Sequence, residues 1–171
     1  GFGELEVDVE AYSEFESTYM ATEVLSRLNV PFDRDPIKQW LLANLNPDGG
    51  FGSANTSNIT STFHAVASLY NLGYPVRQLS RTVNFLRLCE KPRGGFTAVP
   101  KATLPYIDDT YAGVTALTLL GESCAYPEAT ASFVLNLQNS NGGFRRSIAL
   151  GISTFESTYY ALSILHRLGF I

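Results

Sequence analysis

Two adjacent carboxylates, Asp108 and Asp109, are the residues of this sequence best suited to acid–base chemistry. A carboxylic acid that stays protonated in an apolar pocket can give its proton to a substrate, helped by a neighbouring carboxyl or hydrogen-bond donor. This pair is therefore a candidate site of acid–base chemistry, with Tyr106 as a nearby hydrogen-bond donor. The alternative is structural, because acidic residues are also favoured at the N-termini of helices.

The other candidate binding residues are aromatic or basic. His64 is a single histidine that belongs either to a site or to a packed interior. Arg145 and Arg146 follow a Gly-Gly-Phe sequence and could contact an anionic group or form a solvated loop. Four aromatic residues recur at equivalent positions and could line a cavity or pack in a core: Tyr19, Phe63, Tyr111 and Tyr159. Nucleotide-binding loops and Ser/His/Asp patterns are absent from the sequence.

An internal repeat determines where these residues stand. Gly-Gly-Phe occurs three times, ending at Phe51, Phe96 and Phe144, and each copy is followed by a Ser/Asp-Thr-aromatic motif. That motif contains Thr62, Thr110 and Thr158, and a further copy upstream contains Thr18. A fixed period of this length marks an array of supersecondary units. The sequence therefore predicts one segment over 1–171 with four tandem repeats, about 1–45, 46–90, 91–138 and 139–171.

Each unit predicts two helices. An inner helix contains the Thr motif in its first turn, over 59–73, 107–121 and 155–169, and each ends at Gly. The stretch 110–121 carries no charge, which is typical of a helix that is buried on every side. An amphipathic outer helix begins beside Pro, over 35–45, 76–90 and 126–138. The residue before each Thr is expected to be an N-cap, at Ser17, Ser61, Asp109 and Ser157. Buried inner helices that alternate with amphipathic outer helices predict an all-α fold: an αα-toroid (α/α barrel) segment of about seven helices in an incomplete ring. We expect a fragment, or a subunit whose ring another chain completes.

Composition excludes several classes of protein. Of the 171 residues 45% are apolar and 16% are charged, which is the opposite of a disordered chain. The net charge of −4 disfavours general nucleic-acid binding. Two cysteines are too few for a disulfide scaffold. Neither a signal peptide nor an apolar span is recognisable, so a cytoplasmic protein without a transmembrane segment is expected.

The repeats carry a family resemblance. The segment Gln138–Phe144 is similar to the Q-x-x-(D/N)-G-G-(F/W) repeat of the prenyltransferase and terpenoid-cyclase αα-toroid superfamily, and Asn46–Phe51 and Lys91–Phe96 are looser copies. The superfamily includes the β subunits of protein prenyltransferases and the squalene and class II diterpene cyclases. The resemblance covers essentially the whole chain. It implies a cavity lined by the N-terminal halves of the inner helices and by the glycine loops.

The zinc prenyltransferases of this superfamily carry V-D-x-C-Y at one inner helix and H-T-x-(Y/F) at a later one. The first aligns with Ile107–Tyr111, where Asp108 matches the zinc Asp and Thr110 replaces the zinc Cys. In the next unit Glu156 stands where the His would be. The resemblance therefore implies no zinc site, and neither a metal nor another cofactor is expected.

The class II cyclases carry D-x-D-D-T, whose middle Asp protonates an alkene, and Tyr106–Thr110 matches all but the first Asp. Three functions are thus implied. The leading hypothesis is an isoprenoid-handling domain of the prenyltransferase and terpene-cyclase type without the zinc site. The second is a class II cyclase-like enzyme with Asp108 as general acid. The third is a non-catalytic protein-interaction scaffold. Expected partners are an isoprenoid or other apolar small molecule, and either a homo-oligomer or another chain that completes the toroid.

Overall fold

The fold of this chain is given by a computed structural model that describes the backbone of residues 3–171 and the side chains of residues 14–149 and 151–171. Gly1 and Phe2 lie outside the described residues. The described part contains seven α-helices and one short hairpin: α1 Gly3–Arg27, α2 Asp35–Ala43, α3 Ile59–Asn71, α4 Ser80–Cys89, α5 Ile107–Leu120, α6 Pro127–Leu135, β1 Arg145–Ser147, β2 Leu150–Ser153 and α7 Phe155–Arg167. A 3-10 turn over Val76–Gln78 precedes α4. The predicted all-α toroid segment is confirmed, and the antiparallel hairpin is an unpredicted addition.

The helices form two layers. Helices α1, α3, α5 and α7 lie side by side as the inner layer, each packed against the next, while α2, α4 and α6 pack behind them. The inner helices begin at Ile59, Ile107 and Phe155, the residues that the sequence predicted. Gly73, Gly121 and Gly169 follow their C-termini with positive φ, a conformation that stops a helix at little cost in glycine.

The predicted N-caps are wrong by three residues. Asn58 caps α3, because its side chain accepts a hydrogen bond from the Ser61 backbone N–H at 2.8 Å. Thr154 caps α7 in the same way, while Tyr106 precedes α5 and makes no side-chain cap. The chain is still extended at these three residues, because each pairs with the Phe of the preceding Gly-Gly-Phe loop. The predicted caps Ser61, Asp109 and Ser157 therefore occupy the third helical position, and Ser17 lies inside α1.

A threonine ties each glycine loop to the inner helix that follows it. The backbone N–H of Phe51, Phe96 and Phe144 donates to the hydroxyl of Thr62, Thr110 and Thr158 at 2.9, 3.1 and 3.0 Å, respectively. Each hydroxyl in turn donates to the carbonyl four residues earlier in the chain. This pair of bonds satisfies a buried amide that no helix or sheet serves, and it explains why threonine recurs in the motif.

The first glycine of the first two loops lies against the next outer helix. A Cβ on Gly49 would stand 2.2 Å from the Arg81 carbonyl oxygen of α4, and one on Gly94 would stand 2.1 Å from the Ala129 carbonyl oxygen of α6. Both glycines also have positive φ, so the backbone conformation as well as the lack of space excludes a side chain. Gly142 keeps the same conformation, yet no described atom lies within 4 Å of its Cβ position.

Helices α1 and α7, at the two edges of the inner layer, each expose a stripe of apolar side chains. We call Met20, Val24 and Leu28 the α1 flank, and all three are exposed. The α7 flank consists of Ile152, Phe155, Tyr159 and Leu162. Phe155 is 99% exposed, whereas Ile59 and Ile107, which begin the preceding inner helices, are 0% and 1% exposed. None of the described helices combines the length and apolar character needed to cross a bilayer.

Candidate functional site

One aromatic ring from each inner helix joins a continuous aromatic row across the inner layer. Tyr19 lies 5.3 Å from Phe63, Phe63 lies 5.6 Å from Tyr111, and Tyr111 lies 5.9 Å from Tyr159, measured between ring centroids. These separations are typical of interacting aromatic pairs. The structure thus brings together the four aromatic residues that the repeat had singled out. Burial and a hydrogen bond with Tyr159 raise the pKa of Tyr111, so its hydroxyl keeps its proton.

Two further rings support the row. Tyr160 stacks on Tyr111 at 4.5 Å and donates to a Glu156 carboxylate oxygen at 3.0 Å. His64 stacks on Tyr19 at 5.3 Å and is 8% exposed. Burial lowers the pKa of His64 to about 4, so the imidazole is neutral at physiological pH. Tyr160 was not among the predicted site residues, although it directly follows Tyr159 in the sequence.

A cavity of about 440 Å³, which we call the inner cavity, lies beside the aromatic row. The four row residues form one wall, and the middle and C-terminal parts of the inner helices form the rest: Glu23, Ser26, Arg27, Ala67, Tyr70, Asn71, Thr115, Leu119 and Arg167. The row residues Phe63, Tyr111 and Tyr159 lie in the N-terminal halves of their helices, as the resemblance implied, but no glycine-loop residue lines this cavity. The rings pack on one another near the N-terminal ends of the inner helices, and the cavity lies on the C-terminal side of the rings. His64 does not line it.

A separate cavity of about 500 Å³ lies at a glycine loop. It is lined by Lys91–Gly94, Ala102–Pro105, Phe133 and Ile148, and it shares no residue with the aromatic row. Its walls come from a loop, an outer helix and the hairpin. It is therefore distinct from the inner cavity.

Asp108 and Arg146 form a bidentate ion pair. The two carboxylate oxygens accept hydrogen bonds from Nε and Nη2 of Arg146 at 3.0 and 2.9 Å. The guanidinium also lies over the Tyr106 ring, 4.4 Å from its centroid. Arg146 belongs to β1 of the following unit, so the pair joins two repeats. Both residues were predicted site residues, and each is the other's partner.

Asp109 is a buried acid with an unusual pKa. It is 5% exposed, and burial raises its pKa to about 7, with the charge of Asp108 as a second cause. Arg146 and a hydrogen bond from the Ala98 backbone oppose this shift. Asp109 does not line the inner cavity. Its carboxyl can therefore hold a proton near neutral pH.

Arg145 is separated from Arg146. Successive residues of a strand point to opposite faces. Arg145 accordingly lies near the end of α6, where its Nη2 donates to the Asn136 carbonyl oxygen at 3.5 Å. Its Nε is buried without a hydrogen-bond partner among the described residues. The predicted Arg145-Arg146 pair is therefore not a joint anion site.

The residues at the family's zinc positions do not fit a zinc site of that kind. The Thr110 hydroxyl donates to the Tyr106 carbonyl and accepts from the Phe96 N–H, and the Thr110 side chain is fully buried. Both oxygens of Asp108 accept from Arg146, and Glu156 accepts from Tyr160. Zinc prefers thiolate and imidazole ligands, and neither is present at these positions. Among the described side chains, no group of three or more His, Cys, Asp or Glu could hold a metal ion.

Comparison with known proteins identifies the family. The family model described as "Prenyltransferase alpha-alpha toroid domain" matches residues 9–89 and 53–170. A curated relative is the protein farnesyltransferase subunit beta of Arabidopsis thaliana, which is 26% identical over 160 residues. That alignment covers 90% of this chain and 32% of the relative. The chain thus spans about a third of the length of the curated relative that it matches.

A solved structure has the same fold. It is the Candida albicans protein geranylgeranyltransferase-I complexed with GGPP, with a TM-score of 0.77 and 24% sequence identity. The superposition covers 90% of this chain and 48% of that chain. At this identity the likeness establishes the shared toroid architecture.

Proposed function

Because the chain belongs to the prenyltransferase alpha-alpha toroid family, we propose that it is an isoprenoid-handling toroid domain without the zinc site. The observation that carries the proposal is the aromatic row that walls the inner cavity. A concave, aromatic-lined space of this volume, with a few polar groups, suits an apolar small molecule. Ala67 and Leu119 add apolar surface next to the rings.

The residues that would contact the isoprenoid are those of the row. Tyr159 is the most accessible, at 59% exposed, and Tyr111 connects it to the buried Phe63. A flat aromatic wall contacts the methyl branches of a prenyl chain without requiring a polar partner. Neither a metal nor another cofactor enters this proposal.

The test is direct binding of farnesol and geranylgeraniol, measured by calorimetry or fluorescence. We expect Tyr159→Ala to weaken binding about tenfold, because it removes one exposed ring from the wall. Tyr126→Ala is the matched control, since Tyr126 is also an exposed tyrosine but lies beside α6, away from the inner cavity. Equal affinity in both variants, or no binding by the unmodified chain, would reject the proposal.

The proposal includes an assembly that covers the α7 flank. Gly49 and Gly94 each contact the next outer helix. Gly142 has the same backbone conformation, but no described atom lies within 4 Å of its Cβ position. Phe155 is exposed where its counterparts Ile59 and Ile107 are buried. These two features support a further unit of the same kind against α7, supplied by a second copy or by another chain that completes the toroid.

A class II cyclase-like reaction, with Asp108 as general acid, is the second candidate. The observation in its favour is the acid pair itself, because the raised pKa of Asp109 permits a carboxylic acid near neutral pH. Asp108 accepts from Arg146 through both oxygens, so the ion pair must open and Asp108 must take up a proton, with Asp109 as the neighbouring acid, before it can protonate a substrate. Turnover of a prenyl substrate that Asp108→Asn abolishes, with the melting temperature unchanged, would establish it.

A non-catalytic interaction scaffold is the third candidate, and the exposed α7 flank favours it. The alcohol titrations separate it from the first. A scaffold binds its protein partner but no prenyl alcohol, whereas an isoprenoid-handling domain binds both.

A further inference from the structure

The cavity of about 500 Å³ at the second glycine loop, which we call the loop cavity, is walled largely by apolar side chains. Phe133 of α6 is buried in this wall, whereas Leu104 and Ile148 are exposed. The loop cavity shares no residue with the inner cavity. Exposed apolar side chains that flank one concave space provide an anchoring surface for an apolar side chain of a partner.

Positive charge is concentrated beside the loop cavity. Residues 91–106 contain Lys91, Arg93 and Lys101 but neither Asp nor Glu, although the whole chain has a net charge of −4. Lys91 and Arg93 line the cavity, and no acidic residue is among its described lining. Nζ of Lys91 donates to the Pro100 carbonyl oxygen at 3.0 Å, whereas Arg93 and Lys101 make no ion pair with any described side chain. Two cations are therefore available to an acidic partner.

The chain between Lys101 and Tyr106 offers an unpaired backbone edge. Thr103 and Leu104 are exposed, and their N–H and C=O groups make no backbone hydrogen bond among the described residues. Leu104 precedes Pro105, which disfavours the helical conformation and keeps this segment extended. Tyr106 is also extended, with φ −120° and ψ 158°. An exposed, extended backbone with unpaired N–H and C=O groups can accept a further strand.

We propose that the loop cavity binds an extended, acidic segment of a partner protein. The segment pairs with the backbone of Thr103 and Leu104, and it places one apolar side chain between Leu104 and Ile148. Its carboxylates lie near Arg93 and Lys101, which is why charge complementarity selects an acidic partner. The inference does not depend on the isoprenoid proposal, because the two cavities are separate.

A solvated loop offers a different reason for the same features. Surface loops expose backbone groups to water, and charged side chains belong to such surfaces. In that case the apolar wall, the cations and the unpaired backbone coincide without a shared ligand. The experiment therefore tests each of the three features by itself.

The test titrates the full chain at low salt with a fluorescein-labelled heptapeptide that has leucine at its centre and glutamate at its other six positions. We expect wild type to bind it and Arg93→Gln to bind it about tenfold more weakly, because one charge-assisted contact is lost. Arg81→Gln is the matched control, since Arg81 is an exposed arginine of α4 that does not line the cavity. Leu104→Ser should also weaken binding about tenfold. Its control is Leu88→Ser, because Leu88 is an exposed leucine of α4.

Two alternately N-methylated forms of the peptide test the backbone pairing. A paired strand turns every second N–H toward its neighbour, so one form should bind like the parent peptide and the other should lose binding. Equal affinity of all three peptides would contradict the pairing. Melting temperatures show that the variants are folded, and Lys101→Gln serves as a second charge variant.

Four further outcomes overturn the inference. Absence of binding to folded wild type, or equal affinity for a peptide with lysine at the six positions, would remove the acidic partner. Equal affinities of Arg93→Gln and Leu104→Ser with their controls would place the peptide elsewhere on the chain. Binding of phosphatidylserine vesicles that the same variants weaken, without binding of the peptide, would assign this surface to a membrane. Titration with farnesol is independent of all these results, so the proposed function is tested separately.

Discussion

Thr110 occupies the position of the zinc-binding Cys of the zinc prenyltransferases. Its hydroxyl is committed to the Phe96 N–H and the Tyr106 carbonyl, and its neighbour Asp108 is committed to Arg146. We therefore expect the purified chain to hold no stoichiometric zinc. Elemental analysis after dialysis against a weak chelator checks this. About one tightly bound zinc per chain would show that these contacts yield to the metal.

Asp109 should make stability depend on pH. Its folded pKa of about 7 is raised above the ordinary value of 3.8, so the folded chain binds more protons than the unfolded chain between these values. The contribution of Asp109 is therefore fully present below about pH 4 and is lost as the pH rises to 7. Asp109→Asn should remove that decline and raise the free energy of unfolding at pH 8, by roughly 1–4 kcal/mol.

Denaturant unfolding at several pH values measures this, with Asp35→Asn as the control because Asp35 is exposed at the start of α2. Asp108 and Arg146 face the same group, so the salt concentration is held constant. A parallel pH profile for Asp109→Asn and wild type would contradict the prediction. Because Asp109 is not an N-cap, Asp109→Ala should not lower the free energy of unfolding in the way that the loss of a cap would.

The sequence predicted the members of the aromatic row but not the partners of the charged residues. The four rings occupy the same position in the repeat, so once one of them is assigned to the inner face of its helix, the other three are assigned to the same face. Asp108 and Arg146 lie in different repeats and meet only because β1 follows the third glycine loop. That contact depends on the packing of one unit against the next, which no local pattern reveals.

Helix caps give a prediction at the scale of single elements. Thr154→Ala should lower the free energy of unfolding by about 0.5–2 kcal/mol, because the Ser157 N–H loses its acceptor. Ser157→Ala, in the same helix, is the control and should cost less. Thermal or denaturant melts of the two variants show which of the two residues caps α7. The reverse order would restore the cap positions that the sequence had suggested.

The starts of the inner helices were predictable, whereas their caps were not. A long segment that is apolar beyond its first turn and ends at glycine marks an inner helix clearly, and the helices begin at Ile59, Ile107 and Phe155 as predicted. Serine and aspartate are common both at the cap and in the first turn, so the pattern cannot separate the two positions. The hairpin was missed because its short strands lack a clear alternation of apolar and polar residues.

For the whole molecule, the α1 and α7 flanks predict association. Apolar stripes of this kind usually mark an interface, so the isolated chain should self-associate or unfold readily. Leu162→Glu should reduce association in light scattering, because it places a charge within the α7 flank. Leu135→Glu is the control, since Leu135 is also exposed but lies on α6. A monodisperse wild-type monomer with a cooperative melt would argue against the flanks as interfaces.

Hydrogen exchange can show how often each glycine loop separates from its inner helix. The reporters are the amides that donate to the threonine hydroxyls, those of Phe51, Phe96 and Phe144. Such an amide exchanges its hydrogen with solvent only when the glycine loop separates from its inner helix. In an array whose units contact only their neighbours, opening begins at an uncovered end. We therefore expect Phe144, next to the α7 flank, to exchange faster than Phe51 and Phe96, and a chain that covers this flank to slow Phe144 most.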